Sequence, residues 1–313
     1  MKRILIIKLA ALGDFVQAFG PFAAIRAYHP ESHITLLTTP PYVALAQHSP
    51  WFDEIWADGR PRWLDVGSVW RLASRLRGAK FDRVYDLQPS GRSSRYRWFT
   101  GSGPEWSGIA SGASHRHDNP NRDFMHTLDR QRQQLEMAGI AAFPTPDLTW
   151  LDADLSKFAL PPRFCLLVPG ASPTRPAKRW PAERYAELAA RIPFPVIVVG
   201  GPGEAEIASV ISRKAANAID FTGRTTLRDL AALARRAVFC VGNDTGPTHL
   251  VAACMCPTLA LFSHDSDPSR CAPRTDRVML IQKPDLRKLS TIEVIDTLEA
   301  LISSGPDLSG KGV

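Results

Sequence analysis

The 313-residue chain reads as an α/β protein built on two doubly wound parallel sheets. Three observations predict this. Short apolar runs alternate with segments of helical periodicity along most of the length, the pattern of βαβ units. A stretch bracketed by Pro144, Pro146, Pro161 and Pro162 interrupts that alternation near the middle. In each half, one strand runs through a loop of small and polar residues into a helix, and open α/β sheets place their ligands at such strand ends.

In the first half, apolar runs at 3–8, 33–39, 54–57 and 83–87 predict strands, and periodic segments near 14–28, 41–47 and 68–77 predict the helices between them. The stretch Gly101 to Arg122, rich in Gly, Ser, Pro, Asn and His, predicts a mobile surface loop. A helix over 124–138 then ends at Gly139. In the second half, strands are expected at 164–168, 195–199, 218–221, 238–241, 258–262 and 278–281, with helices near 182–191, 204–216, 227–236 and 247–255. The expected boundaries are 1–155 for the first domain, 156–290 for the second, 291–303 for a terminal amphipathic helix and 304–313 for a frayed tail.

Composition narrows the class. With 44% apolar residues the chain can bury two ordinary cores. The apolar run Ile4 to Ile7 is too short for a signal peptide and is interrupted by Lys8, and no uncharged stretch approaches the roughly 18 residues that would span a bilayer. A soluble, cytoplasmic protein is expected. The five cysteines include no C-x-x-C pair, which fits a reducing compartment and argues against a structural zinc site. The net charge of +7 brings no nucleic-acid-binding motif with it, so nucleic acid is not an expected partner.

The most informative segment is Val238 to His249, four apolar residues followed by Gly-Asn-Asp-Thr-Gly-Pro-Thr-His. Pro247 is suited to the first helical position, which makes Gly246 the expected cap and leaves the amides of Gly246, Thr248 and His249 free. Free amides at the positive end of a helix dipole suit a phosphate, and Asp244 and Thr245 add side-chain oxygens. Near the N-terminus, Lys8-Leu-Ala-Ala-Leu-Gly-Asp14 repeats the strand-loop-helix pattern, with the Asp14 carboxylate at the strand's end. Read alone, Asp14 is more simply a helix cap than a catalytic group.

These two segments together resemble glycosyltransferase family 9, the bacterial heptosyltransferases of lipopolysaccharide core synthesis. Pro169 to Pro181, which ends in Lys-Arg-Trp-Pro, is similar to a family loop ending in Lys-x-Trp-Pro. Asp86-Leu-Gln88 resembles a first-domain segment, and Phe221 to Leu230 resembles the stretch before the nucleotide loop. The resemblance covers nearly the whole chain in order. It implies the GT-B architecture, in which two Rossmann-like domains face each other across a cleft, with the terminal helix packing back on the first domain. The implied activity is inverting transfer of a heptose from an ADP-activated sugar to the inner core, Kdo-lipid A or a heptosylated acceptor. That reaction takes place at the cytoplasmic membrane's inner face, where a lipid-linked acceptor allows peripheral contact.

Transfer from a nucleotide sugar needs a base, a way to stabilise the departing diphosphate, and a grip on the nucleotide. Asp14 is the candidate base. Lys178, in a loop that also carries Arg175 and Arg179, is the candidate for neutralising the diphosphate, with Ser172 and Thr174 as hydroxyl donors. Asp244, Thr245, Gly246, Thr248 and His249 complete the expected anion site. The resemblance further implies that Glu204 or Glu206 holds the ribose and that Thr225 and Thr226 lie near the adenine, although the family often has Met where Thr225 falls. Gln88, Arg92 and Arg95 form a basic cluster suited to an anionic, lipid-linked acceptor. No cofactor and no metal are expected, despite D-x-D at Asp152 to Asp154 and at Asp265 to Asp267, since cationic side chains can serve the diphosphate. A nucleotide-sugar epimerase or hydrolase of the same architecture, and a non-catalytic nucleotide-sugar binder, are the alternative readings.

Overall fold

Ile4, Leu5, Ile6 and Ile7 are fully buried because strand β1 (Arg3–Ile7) is paired on both edges and covered on both faces. The computed structural model in which this is seen describes residues 1–58 and 60–303, so the expected frayed tail 304–313 lies outside the described residues. The chain divides into two units, one ending at Trp150 and the other beginning at Leu151. Trp150 packs its ring against Phe19 and Trp51, whereas Leu151, Leu155 and Phe158 are buried and Phe158 meets Phe221 at 4.9 Å. The division therefore falls five residues before the expected boundary at 155.

In the first unit β1 is followed by α1 (Leu12–Val16), α2 (Phe19–Tyr28), β2 (His33–Thr38), α3 (Pro40–Ala46), β3 (Glu54–Ala57), α4 (Val66–Gly78), β4 (Arg83–Asp86), α5 (Gly91–Thr100), β5 (Glu105–Gly108), β6 (His115–Arg116) and α6 (Thr127–Met137). The strands are all parallel in the order β3-β2-β1-β4-β5-β6, with Ile7 opposite Leu37 on one side and Asp86 on the other. The chain winds outward from β1 and then returns to lay β4 on its other edge. The β1/β4 boundary is therefore the topological switch point.

Two expectations are corrected here. The helix expected over 14–28 is two helices, α1 and α2, with the break at Gln17 and Ala18. The stretch 101–122 is not one irregular surface loop. It contributes β5 and β6 to the sheet, and Trp106 is fully buried in a core with Leu5, Val84 and Tyr96. Strands of four and two residues are too short to show alternation in a Gly- and Ser-rich background.

The second unit runs β7 (Cys165–Val168), α7 (Ala182–Arg191), β8 (Val196–Val198), α8 (Ala205–Lys214), β9 (Ala218–Asp220), α9 (Leu227–Arg236), β10 (Cys240–Asn243), α10 (Gly246–Ala253), β11 (Thr258–Phe262), α11 (Pro268–Cys271), β12 (Val278–Gln282) and α12 (Thr291–Ser303). Its sheet, β12-β11-β10-β7-β8-β9, is also parallel throughout and repeats the winding of the first, with the switch point between β7 and β10. The buried side chains Val294, Leu298 and Leu301 of α12 belong to the second unit's core, beside α7, β11 and β12. None of the five cysteines forms a disulfide. No helix among the described residues is long and apolar enough to cross a membrane.

Candidate active site

Asp14 and Gln88 follow the strands of the first switch point, and Lys178, Asp244 and His249 those of the second. In the first unit, β1 leaves the sheet into a loop held from three sides. Gln88 Oε1 accepts from the Leu9 and Ala10 amides at 2.7 and 3.0 Å, Thr39 Oγ1 donates to the Leu9 carbonyl at 2.5 Å, and Lys8 Nζ donates to the Leu87 carbonyl at 3.0 Å. This loop delivers Asp14 to the third position of α1, where its Oδ2 accepts from the Ala11 amide at 3.1 Å. The carboxylate is half-buried and fixed by its own helix start. Behind it Phe15 stacks on Tyr42 at 5.3 Å and packs edge-on to Phe22, which anchors α1 in the core.

Two charged residues of this region, Lys8 and Asp86, are buried, which the sequence does not reveal. Lys8 is nearly inaccessible, and burial pushes its ammonium down to about 8 against the opposing influence of Asp14 and Asp86. Asp86, fully buried at the end of β4, is pushed by burial up to about 7 although Ser93 and the Gln88 amide donate to it. Both looked like ordinary strand-end residues in the sequence.

In the second unit, Lys178 and Asp244 form a buried ion pair at 2.6 Å, their side chains 12% and 6% exposed. Asp244 also accepts from Ser266 Oγ at 2.5 Å and meets His249 Nε2 at 3.3 Å. Burial works against ionisation of Asp244, but the hydrogen bonds from His249, Lys178 and Ser266 outweigh it and hold the carboxyl well below the usual carboxylate range. Lys178 comes from the loop after β7 and Asp244 from the loop after β10, so the pair ties together the two sides of the switch point. Ser266, after β11, could not be found from sequence because its link to Asp244 exists only in the folded chain.

The helix start differs in detail from expectation. Thr245 is the cap and Gly246 the first helical residue, with Pro247 second, and the His249 amide already donates to the Thr245 carbonyl at 3.1 Å. The backbone donors that α10 cannot satisfy internally are thus those of Gly246 and Thr248. Thr248 Oγ1 turns inward and donates to the Asn243 carbonyl at 2.7 Å. That turn needs Gly242, where a Cβ would lie 2.5 Å from Thr248 Oγ1 and 2.9 Å from Val168 Cβ.

Asn243, which the sequence reading passed over, links the two loops. Its Oδ1 accepts from the Trp180 amide at 3.1 Å and from Tyr185 at 3.0 Å, and its Nδ2 donates to the Pro169 and Gly170 carbonyls at 2.8 and 3.2 Å. A fully buried amide with both ends satisfied fixes the loop that carries Lys178. Glu204 lies against the same loop: a Cβ on Gly170 would come within 2.8 Å of Glu204 Cγ, and Glu204 Oε2 accepts from the Gly201 amide at 2.8 Å. Glu206 is exposed in the first turn of α8. Ser172 and Thr174 are exposed and bonded to each other at 2.9 Å. Thr225 and Thr226 follow the edge strand β9, and Thr226 caps α9 through Asp229.

The acceptor candidates are only partly a cluster. Gln88 is used on the β1 loop, as described. Arg92 and Arg95 both lie over the Trp63 ring, at 4.8 and 5.2 Å from its centroid, and Arg92 also donates to the Pro61 carbonyl. Of the two D-x-D sequences, Asp154 and Asp267 are engaged with Ser156 and Ser269. No group of three potential metal ligands occurs among the described residues.

Comparison with known proteins agrees with this architecture. The lipopolysaccharide core heptosyltransferase OpsX of Haemophilus influenzae is 25% identical over 92% of this chain and 86% of its own. A glycosyl transferase family 9 protein of Veillonella parvula superposes with a TM-score of 0.83 at 22% identity, covering 97% of this chain and 98% of that one. ADP-heptose lps heptosyltransferase II of Escherichia coli superposes with a TM-score of 0.77, also at 22% identity, over 97% and 99% of the two chains. The fold is therefore GT-B. The model of glycosyltransferase family 9 (heptosyltransferase) matches residues 69–301, and with most of its length inside that match the chain belongs to this family of glycosyltransferases.

Proposed function

We propose that this glycosyltransferase moves a heptose, with inversion, from an ADP-activated donor to the lipopolysaccharide inner core, at the inner face of the cytoplasmic membrane. The observation that carries the reading is the placement of chemically suited groups at the switch point of each sheet: a fixed carboxylate, Asp14, in the first, and Lys178 beside the start of α10 in the second.

Asp14 takes the proton of the acceptor hydroxyl as that oxygen attacks the anomeric carbon. The bond from that carbon to the diphosphate breaks on the opposite face, which inverts the centre. Lys178 and the Gly246 and Thr248 amides neutralise charge on the departing ADP, with Thr245 and His249 beside them. A lysine has three N–H donors, so the bond to Asp244 leaves donors for phosphate oxygens. Ser172 and Thr174 supply hydroxyls to the sugar or diphosphate. Glu204 is the better placed of the two acidic candidates for the ribose, and Thr225 and Thr226 line the adenine side. Arg92 and Arg95 meet acidic groups of the acceptor. In this account lysine and backbone dipoles do the work a metal would do, so turnover persists in EDTA.

The experiment is calorimetric titration with ADP, UDP and GDP in EDTA, on the native protein and on Lys178→Ala. Selective ADP binding that weakens in the variant supports the donor site. Absence of nucleotide binding in the native protein overturns it.

A further inference from the structure

All three exposed tryptophans of the chain lie in one short stretch of the first unit. Trp98 and Trp70 are 69% and 67% exposed, Trp63 is 38% exposed, and beside them Leu64 and Val66 stand 92% and 73% exposed. Scattered exposed apolar residues are ordinary, but this set is gathered. Trp63, Val69, Arg95, Trp98 and Phe99 line one shallow depression of about 390 Å³. Trp98 stands seven residues after Gly91 and three after Arg95, on the outer side of α5, while Trp70 and Val66 share the outer side of α4. The two helices pack together, and Arg77 donates to the Trp98 carbonyl at 3.1 Å.

The same stretch holds the chain's positive excess. Residues 60–100 contain ten Lys and Arg against three Asp and Glu, an excess of seven that equals the net charge of the whole chain. No acidic residue occurs from Leu87 to Pro104, and the single carboxylate between Arg60 and Lys80, Asp65, caps α4 through Ser68. Of the arginines on α4 and α5, Arg75 alone lies within ion-pair distance of a carboxylate among the described residues, 3.7 Å from Glu54.

We propose that α4, α5 and the 61–65 segment between β3 and α4 form a docking surface for an anionic lipid bilayer. Tryptophan settles at the boundary of headgroup and acyl chain, with an apolar ring and one N–H donor, and leucine and valine enter just below it. Arginines around such an anchor are drawn to the negative surface of the leaflet. Nucleic acid would match the charge but offers nothing to Leu64 and Val66. A second copy of the chain would bring like charge against like.

The test uses the full chain without donor or acceptor, so its outcome is independent of the transfer reaction. Flotation is measured with vesicles of phosphatidylcholine alone and of equal parts phosphatidylcholine and phosphatidylglycerol, for the native protein, for Trp70→Ser/Trp98→Ser and for Arg62→Gln/Arg77→Gln. Circular dichroism and thermal melting confirm that each variant is folded. The native protein is expected to float with the anionic vesicles only, and less as salt is raised. The arginine pair should bind about twenty-five-fold more weakly, on the scale of about 1 kcal/mol per charge, and the tryptophan pair at least about tenfold more weakly. Failure to float, equal binding to neutral vesicles, native binding by both variants, or a dimer that the tryptophan pair abolishes in sedimentation velocity would each overturn the proposal.

Discussion

Lys178 Nζ lies 2.6 Å from Asp244 Oδ2, and both side chains are almost inaccessible. A buried pair of this kind is costly to break from one side, because the remaining charge is stranded. Lys178→Ala is expected to destabilise the second unit by about 3–5 kcal/mol and to weaken ADP binding. Adding Asp244→Asn should recover part of the stability and none of the affinity. Urea denaturation and calorimetry on the two variants separate these effects; recovery of affinity in the double variant would remove Lys178 from the donor site.

Asn243 holds the 169–180 loop by three hydrogen bonds and Tyr185 of α7 by a fourth. Asn243→Ala leaves buried carbonyls and an amide without partners and should cost about 3 kcal/mol. Its kinetic mark should be a raised KM for the donor with a smaller change in kcat, since Asn243 positions the loop that carries Lys178. Steady-state kinetics against donor concentration check this.

Gly242→Ala introduces a methyl group 2.5 Å from Thr248 Oγ1 and 2.9 Å from Val168 Cβ. Overpacking of this sort should lower stability by about 1–3 kcal/mol and displace the start of α10, reducing ADP affinity. The paired variant Gly242→Ala/Thr248→Ser, which removes a methyl group but keeps the hydroxyl, should not restore native stability. A melting curve for each suffices.

Lys8 gives a pH prediction. Its ammonium has a folded value lowered to about 8 from the ordinary 10.5. Between these values the unfolded chain holds the proton that the folded chain has released, so this group's contribution makes stability rise with pH across that window; below it the burial penalty is complete. The difference in urea midpoint between native protein and Lys8→Met should shift in favour of the native protein as pH is raised from 8 to 10.5. A difference independent of pH would mean that Lys8 is not desolvated as the structure places it.

Most of the architecture was legible because parallel sheets buried on both faces write long apolar runs, such as Ile4 to Ile7 and Thr258 to Phe262. The short strands around Trp106 carry no such run and read as a loop in the sequence. At the site, Lys178, Asp244 and His249 could each be singled out from the residues beside them. The pairing of Lys178 with Asp244, and the links through Ser266 and Asn243, could not, because those contacts join residues 22 to 74 positions apart. Gln88 was legible as a polar residue at a strand end, yet its amide oxygen is engaged in holding Leu9 and Ala10.

The central claim is that Asp14 is the base for transfer from an ADP-linked sugar. Asn at position 14 keeps an oxygen to accept from the Ala11 amide but cannot take a proton. The decisive measurement is kcat for heptose transfer by Asp14→Asn, with ADP affinity measured on the same sample. The account predicts a fall in kcat of about 10²–10⁴ with ADP affinity unchanged; turnover at the native rate would contradict it.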